Sequence, residues 1–213
     1  MDREQTVFIV DDDEGVRDGL SMLLSTVGQP CQSFASAGEF LDQYDPANRG
    51  CLVLDIRMPR MSGLELQSEL NARGSDLPVI FITGHGDIPM AVEAMRRGAL
   101  DFIRKPFREQ DLLDRINEAL DAELIRRKKA MEASELVERI NSLTDREKAV
   151  FEAVADGKMN KVIGFDLGIS ERTVEVHRAN VMKKLNVRTL AELIRIKILS
   201  ESARSHVGAA GAD

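Results

Sequence analysis

Four short apolar runs in the first half of the chain each end on polar residues. Val7–Val10 runs into Asp11-Asp12-Asp13, Cys51–Leu54 into Asp55, Val79–Ile82 into Thr83-Gly84, and Phe102-Ile103 leads to Lys105-Pro106. Runs that are apolar throughout suit strands buried on both faces, and the helical patterns between them make the sheet parallel. With one more run after Gly28-Gln29-Pro30, the pattern predicts strands at 6–10, 30–34, 51–55, 78–83 and 100–104. Helices are predicted at 14–27, 36–44, 63–72, 87–97 and 108–120. Five such units predict a flavodoxin-like α/β sheet of strand order 2-1-3-4-5, with a crevice at the carboxyl ends of its strands.

From Asp111 to Ile140 the chain has neither Gly nor Pro and is rich in helix formers. The last helix of the sheet domain is therefore expected to run on as a linker helix. Its middle is expected to fray, because Arg126-Arg127-Lys128-Lys129 repel one another. Thr144 with Glu147 forms a capping box, and helices are predicted at 144–156, 160–167, 171–185 and 189–200, an all-α four-helix domain. The expected organisation is an α/β domain at 1–122, a linker at 123–141, a helical domain at 142–205 and a patternless tail at 206–213.

Charge separates the two halves. Residues 1–120 hold 12 Lys/Arg against 21 Asp/Glu, whereas residues 158–197 hold 9 against 4. A basic segment behind an acidic domain fits a nucleic-acid binder with a separate control module. No apolar run approaches the ~18 residues of a membrane span, and the first residues give no secretion signal, so the expectation is cytoplasm with no membrane partner. Cys31 and Cys51 are expected to act as small hydrophobes rather than as a disulfide.

Strand order 2-1-3-4-5 makes Asp11, Asp12 and Asp55 neighbours. Clustered carboxylates oppose one another's ionisation, and a divalent cation relieves the conflict. Mg²⁺ takes about six oxygens, mostly from water with one or two carboxylates and phosphate oxygens. Asp55 is then the candidate nucleophile for an aspartyl phosphate, with Lys105 as the cation facing it. Asp13 reads as an outward helix cap, and His85 as a solvated loop residue. A phosphoryl group on Asp55 would draw the Thr83 hydroxyl inward and vacate space for the Phe102 ring, a pair of switch residues. The bland alternative is Thr83 as a cap and Phe102 as core. Ile88, Ala91, Val92 and Met95 form a stripe that Ala94 widens. Val92 with Arg96 at its edge either meets a symmetric partner or simply faces the core.

In the second half, Gly168-Ile169-Ser170 makes a tight turn between two helices. On the helix after it, Val174, Val181 and Leu185 share one face with Met182 beside them. Arg172, Val176, Ala179 and Lys183 lie opposite, with Glu175 and Asn180 at the margins, as a helix in the major groove requires. Arg172, Glu175, Val176 and Asn180 are candidate base readers. Lys161, Thr173, Lys183, Lys184 and Arg188 are candidate phosphate contacts, which position without specifying, and Arg178 falls at the rim. The second helix, with Val162-Ile163-Gly164-Phe165, is unusually apolar.

VDDD at 10–13, LDIRMPRMSG at 54–63, Thr83-Gly84 and KPF at 105–107 resemble the receiver domain of two-component response regulators. LTDREKAVFEAVADGKMNKVIGFDLGISERTVEVHRANVMKKL at 143–185 resembles a LuxR-type DNA-binding domain. The combination is the FixJ/NarL type, and the chain is similar to its nitrogen-fixation members. The resemblance implies Asp55 as phosphoacceptor, with Asp12 a direct Mg²⁺ ligand, Asp11 acting through water and Arg57 giving its backbone carbonyl. It implies a cis Lys105-Pro106 bond that aims Lys105 at the phosphoryl group. Its implied partners are a sensor histidine kinase, promoter DNA and RNA polymerase, with homodimerisation on phosphorylation and nitrogen-fixation genes as targets. Relatives often carry a basic residue at Glu175 and a longer polar one at Ala179. The rival readings are a haloacid-dehalogenase-type phosphatase with Asp11 as nucleophile, and a constitutive DNA binder whose receiver only dimerises.

Overall fold

The computed structural model of the chain describes residues 5–84 and 88–209, and side-chain surroundings up to residue 200. His85 and the last four residues of the expected tail lie outside the described residues. Two compact units divide between Arg127 and Lys128.

The first unit alternates strands β1 (Thr6–Val10), β2 (Cys31–Phe34), β3 (Gly50–Asp55), β4 (Val79–Thr83) and β5 (Asp101–Arg104) with helices α1 (Glu14–Thr26), α2 (Ala37–Gln43), α3 (Gly63–Ala72), α4 (Ile88–Arg96) and α5 (Glu109–Asn141). The strands are parallel in the order β2-β1-β3-β4-β5, as the apolar runs predict. β3 and β4 are buried throughout, which is why their sequences do not alternate. One face packs Phe8, Phe40, Leu54, Leu66 and Phe81; the other packs Ile9, Leu24, Val53, Ile82 and Ile116. Both cysteines are free, and burial with the nearby Glu123 carboxylate pushes the Cys51 thiol up to about 12.

α5 is continuous through its four cations. Arg126 donates to the Asp76 carbonyl oxygen at 2.9 Å, and Arg127 lies 3.9 Å from Glu123. The repulsion expected among four successive cations is offset by these partners. The segment expected to serve as linker also supplies core to the second unit. Ile140 is buried and Leu136 packs beside it, against Leu143, Val150, Val181 and Leu193. The four predicted helices form as α6 (Asp145–Ala155), α7 (Asn160–Leu167), α8 (Glu171–Leu185) and α9 (Leu190–Ala209). α9 runs past the tail boundary expected at 206, since nothing from Leu190 to Val207 breaks a helix. The Thr144–Glu147 capping box opens α6 as read. Gly168 ends α7 at φ 67°, a left-handed turn that favours glycine. Among the described residues no helix is long and apolar enough to cross a membrane.

Candidate functional site

The carboxyl edge of the sheet holds a cavity of about 370 Å³ lined by Asp11, Asp12, Asp13, Asp55, Arg57, Thr83 and Lys105, among others. Each polar residue arrives there because its strand ends there. Asp11 follows β1, Asp55 closes β3, Thr83 closes β4 and Lys105 follows β5. Lys105 is followed by a cis bond to Pro106. Its Nζ donates to Asp11 Oδ2 at 2.7 Å and to Asp55 Oδ1 at 2.9 Å.

The two carboxylates are held on their other sides too. Asp55 Oδ2 accepts from the Arg57 backbone N–H at 2.7 Å, an Asx turn. Asp11 Oδ1 accepts from the Asp13 N–H at 2.9 Å. Asp13 itself caps α1, accepting from the Gly15 and Val16 amides, and Asp12 is exposed. Gly63 is required beneath the site. A Cβ there would lie 2.2 Å from the Asp55 carbonyl oxygen, so only glycine lets α3 begin so close.

Burial raises the Asp55 carboxyl above its ordinary value, and the hydrogen bond and charge of Lys105 only partly oppose it. Burial also works against the Lys105 ammonium, but hydrogen bonds to Asp11 and Asp55 outweigh it and leave its pKa raised. One lysine is shared by two carboxylates. The lining as a whole sets four carboxylates against two cations and offers the hard oxygen donors that a divalent cation takes, although among the described residues no three such side chains are grouped as a ready metal site.

In the second unit, α8 presents Arg172, Glu175, Val176, Ala179, Asn180 and Lys183 to solvent, and buries Val174, Val181 and Leu185. Ser170 caps it through the Thr173 amide. Gly164 lets α7 approach the turn, because a Cβ there would meet the Ile169 carbonyl oxygen at 2.8 Å. Lys161 and Arg188 are exposed.

Two models cover both units: the response regulator receiver domain matches residues 7–117, and the LuxR family of bacterial regulatory proteins matches residues 141–197. The chain belongs to the response regulators. Transcriptional regulatory protein FixJ of Azorhizobium caulinodans is 46% identical over 200 residues, 94% of this chain and 95% of that one. Response regulator protein TodT of Pseudomonas putida is also 46% identical, covering 92% of this chain and 86% of its own. The solved structure of the response regulator StyR, 49% identical, aligns with a TM-score of 0.85 over 91% of this chain and 98% of that one. The response regulator is thus a two-component transcriptional regulator, whose receiver implies a sensor kinase and whose LuxR-type domain implies DNA.

The structure of this response regulator brings Asp11, Asp12, Asp55, Thr83 and Lys105 to one cavity, and separates other residues that the sequence grouped. Phe102, on edge strand β5, is 40% exposed and so not core. The stripe on α4 divides: Ala91 and Ala94 are buried, while Val92 (46% exposed), Met95 and Arg96 face solvent. Lys184, read as a phosphate contact, has partners within its own unit. Its Nζ reaches the buried Glu147 carboxylate at 2.6 Å and the Ser142 carbonyl oxygen at 3.2 Å. Thr173 shares its hydroxyl with Ser170 Oγ at 2.7 Å, and Arg178 donates to Asn160 Oδ1 at 3.3 Å. Val162 and Phe165, the unexplained apolar residues of α7, stand on its outer face, with Phe165 88% exposed.

Sequence reasoning missed two supports. The Arg57 N–H, rather than only its carbonyl, positions Asp55, and the two-residue spacing of an Asx turn was the available signal. Arg17 donates to the Asp11 carbonyl oxygen at 2.8 Å, a contact without a spacing signature.

Proposed function

We propose that this chain is a phosphorylation-controlled transcriptional activator of the cytoplasm in which Asp55 accepts a phosphoryl group from a sensor histidine kinase. The observation that carries the proposal is Lys105 Nζ bridging Asp11 and Asp55 inside the strand-end cavity. An Asp55 oxygen attacks phosphorus, the bond from phosphorus to the donor's imidazole nitrogen breaks, and the nitrogen leaves with the electron pair. The Arg57 N–H holds the Asp55 carboxylate in a fixed orientation for this attack. Asp11, Asp12, Asp55 and the Arg57 carbonyl would hold Mg²⁺, which when bound neutralises charge on the phosphoryl oxygens. Lys105 then exchanges a carboxylate for a phosphoryl oxygen, and the Thr83 hydroxyl turns toward the same group.

The rival with Asp11 as nucleophile has less support. Asp11 is the more buried of the two carboxylates, which are otherwise held alike, each with one oxygen on Lys105 and the other on a backbone amide. The curated relatives named above are regulators rather than phosphatases.

Downstream, we place dimerisation at Val92 and Arg96 on α4, and promoter reading at Arg172, Glu175, Val176 and Asn180, with Lys161, Lys183 and Arg188 on phosphates and Arg178 and Thr173 at the rim. RNA polymerase is the final partner. Nitrogen-fixation promoters are the target that the FixJ relatives suggest. TodT is equally similar in overall identity, so we assign the choice of promoter to the α8 side chains. The test is gel-mobility DNA binding with and without acetyl phosphate and Mg²⁺. Wild type should tighten on phosphorylation, and Asp55→Asn should not respond. Equal binding of wild type in both conditions would favour the constitutive DNA binder.

A further inference from the structure

The outer side of α7 carries apolar side chains that its own unit does not cover. Phe165 is 88% exposed, Met159 73% and Val162 40%, while the buried residues of the helix are Ile163 and Gly164. The three are spaced three residues apart, so they follow one side of the helix. Met159 also occupies the N-cap of α7 without making a capping bond, at a position where a short polar side chain is favoured. A lone exposed apolar residue is ordinary, but a contiguous row marks a surface that meets another.

The same unit holds a surface of matching character. A cleft of about 380 Å³ lies between the end of α5, the carboxyl end of α8 and α9, with Leu136, Val187, Ile196 and Leu199 in its lining. Its charged lining is net acidic, Glu132, Glu135 and Glu192 against Arg139 and Arg195. The exposed flank of α7 is net basic, Lys158 and Lys161 against Asp166. Within these sets Arg139 pairs with Glu135 at 3.2 Å and Lys158 with Asp166 at 2.8 Å, which leaves Lys161 and Glu132 to set the signs.

A copy cannot fill its own cleft. α7 sits at the amino end of α8, where Gly164 closes on the Ile169 carbonyl oxygen, and the cleft lies at the carboxyl end, beside Leu185 and Val187. The 15 residues of α8 set the two about 22 Å apart. A symmetric contact of patch on patch is disfavoured as well, since it would bring Lys161 against the same lysine of the neighbour.

We propose that the Phe165 face of α7 docks into this cleft on a second copy of the chain, bound beside it on the same DNA. The contact is head to tail, unlike the symmetric one placed on α4, and such contacts repeat along a line instead of closing. It rests on the second unit as a DNA binder with α8 in the major groove. The first helix of such a pair crosses the DNA backbone, so Phe165 stays outside the groove, and patch and cleft flank opposite ends of the reading helix. A phenylalanine side chain brings about 150–250 Å², and the row of three falls short of the ~800 Å² that each partner of a stable free complex buries. Copies in free solution are therefore not held by it, whereas copies on one duplex are, because the DNA raises their effective concentration.

The experiment is a gel-mobility titration of the full chain with acetyl phosphate and Mg²⁺, at low salt, where binding needs no particular sequence. One duplex accommodates a single bound species, and the other repeats its sequence several times. Wild type should bind beside an occupied site about ten- to a hundredfold more tightly than at an isolated one, as burial of one aromatic side chain gives. Phe165→Ala and Leu199→Asp, both at exposed positions, should each abolish that factor and leave affinity for the short duplex unchanged. An equal mixture of the two variants should recover part of it, because an intact patch then meets an intact cleft, whereas residues needed only for folding would not complement each other. Wild type that fills the longer duplex without cooperativity, or variants that keep it, overturns the contact. Weaker binding of Phe165→Ala to the short duplex would make Phe165 a DNA contact, and tighter binding would make it a cover for the chain's own first unit; either overturns the proposal. Unchanged cooperativity with loss of promoter transcription would give the face to RNA polymerase instead. Wild type that binds neither duplex would sink the DNA reading itself, a result distinct from binding without cooperativity.

Discussion

Lys105 serves Asp11 and Asp55 with one ammonium, and that shortage sets the chemistry of the pocket at the scale of single residues. Asp55 is more costly to ionise than an ordinary carboxylate because burial outweighs what its share of Lys105 returns. A carboxylate whose folded pKa is raised costs stability when ionised, fully above that raised pKa and not at all below the unfolded value. Asp55→Asn should therefore melt above wild type at pH 7, and the gain should fade as the pH drops through the raised pKa to the ordinary carboxylate value. Thermal melts across that range check it. The same variant should gain no phosphoryl mass with acetyl phosphate and Mg²⁺, while Lys105→Ala should gain it but respond poorly. In the second unit, Lys184→Ala leaves the buried Glu147 without its cation. A hydrogen bond to a charged group is worth about 1.5–3 kcal/mol, and the partial exposure of Lys184 points to the low end of that range. Chemical denaturation of this variant should show the loss, with salt dependence of DNA binding nearly unchanged.

At the scale of elements, α8 separates two kinds of contact that can be measured apart. Lys183 is exposed on the proposed DNA face, and neutralising it should lower the log–log salt slope of binding by about 0.9, similarly on all sequences. Changing Glu175 or Val176 should instead cost about 1–3 kcal/mol at one base position and spare non-specific binding. A salt slope that falls equally for Lys184→Ala would return Lys184 to the DNA face.

At the scale of the whole molecule, the two compact units allow each to be tested alone. Because Leu136 and Ile140 belong to the second core, a fragment cut at Ser142 would lose part of it, and one beginning at Lys128 keeps it. The longer fragment should bind DNA at low salt without a phosphodonor, and a folded fragment with no affinity would remove the transcription-factor reading of its basic face. In the full chain, phosphorylated Val92→Glu should accept phosphate yet sediment as a monomer. A dimer of unchanged strength would move the interface off α4.

The sheet order, the five βα units and the convergence of Asp11, Asp55, Thr83 and Lys105 were legible in the sequence. An apolar run that ends on a polar residue encodes both a buried strand and the edge where that residue lies. Helix caps were legible for the same local reason: Asp13, Thr144 and Ser170 bond to amides two or three residues away. Tertiary structure decided what depends on distant partners. Periodicity placed Val92 and Ala91 on one stripe, but only the packed helix shows which of them the sheet covers. Lys184 looked like a surface cation until Glu147, 37 positions earlier, claimed it. Gln67 carried no signal, because a glutamine among leucines reads as an exposed helix residue, whereas it is buried with its amide donating to the Ala94 and Arg97 carbonyl oxygens at the end of α4.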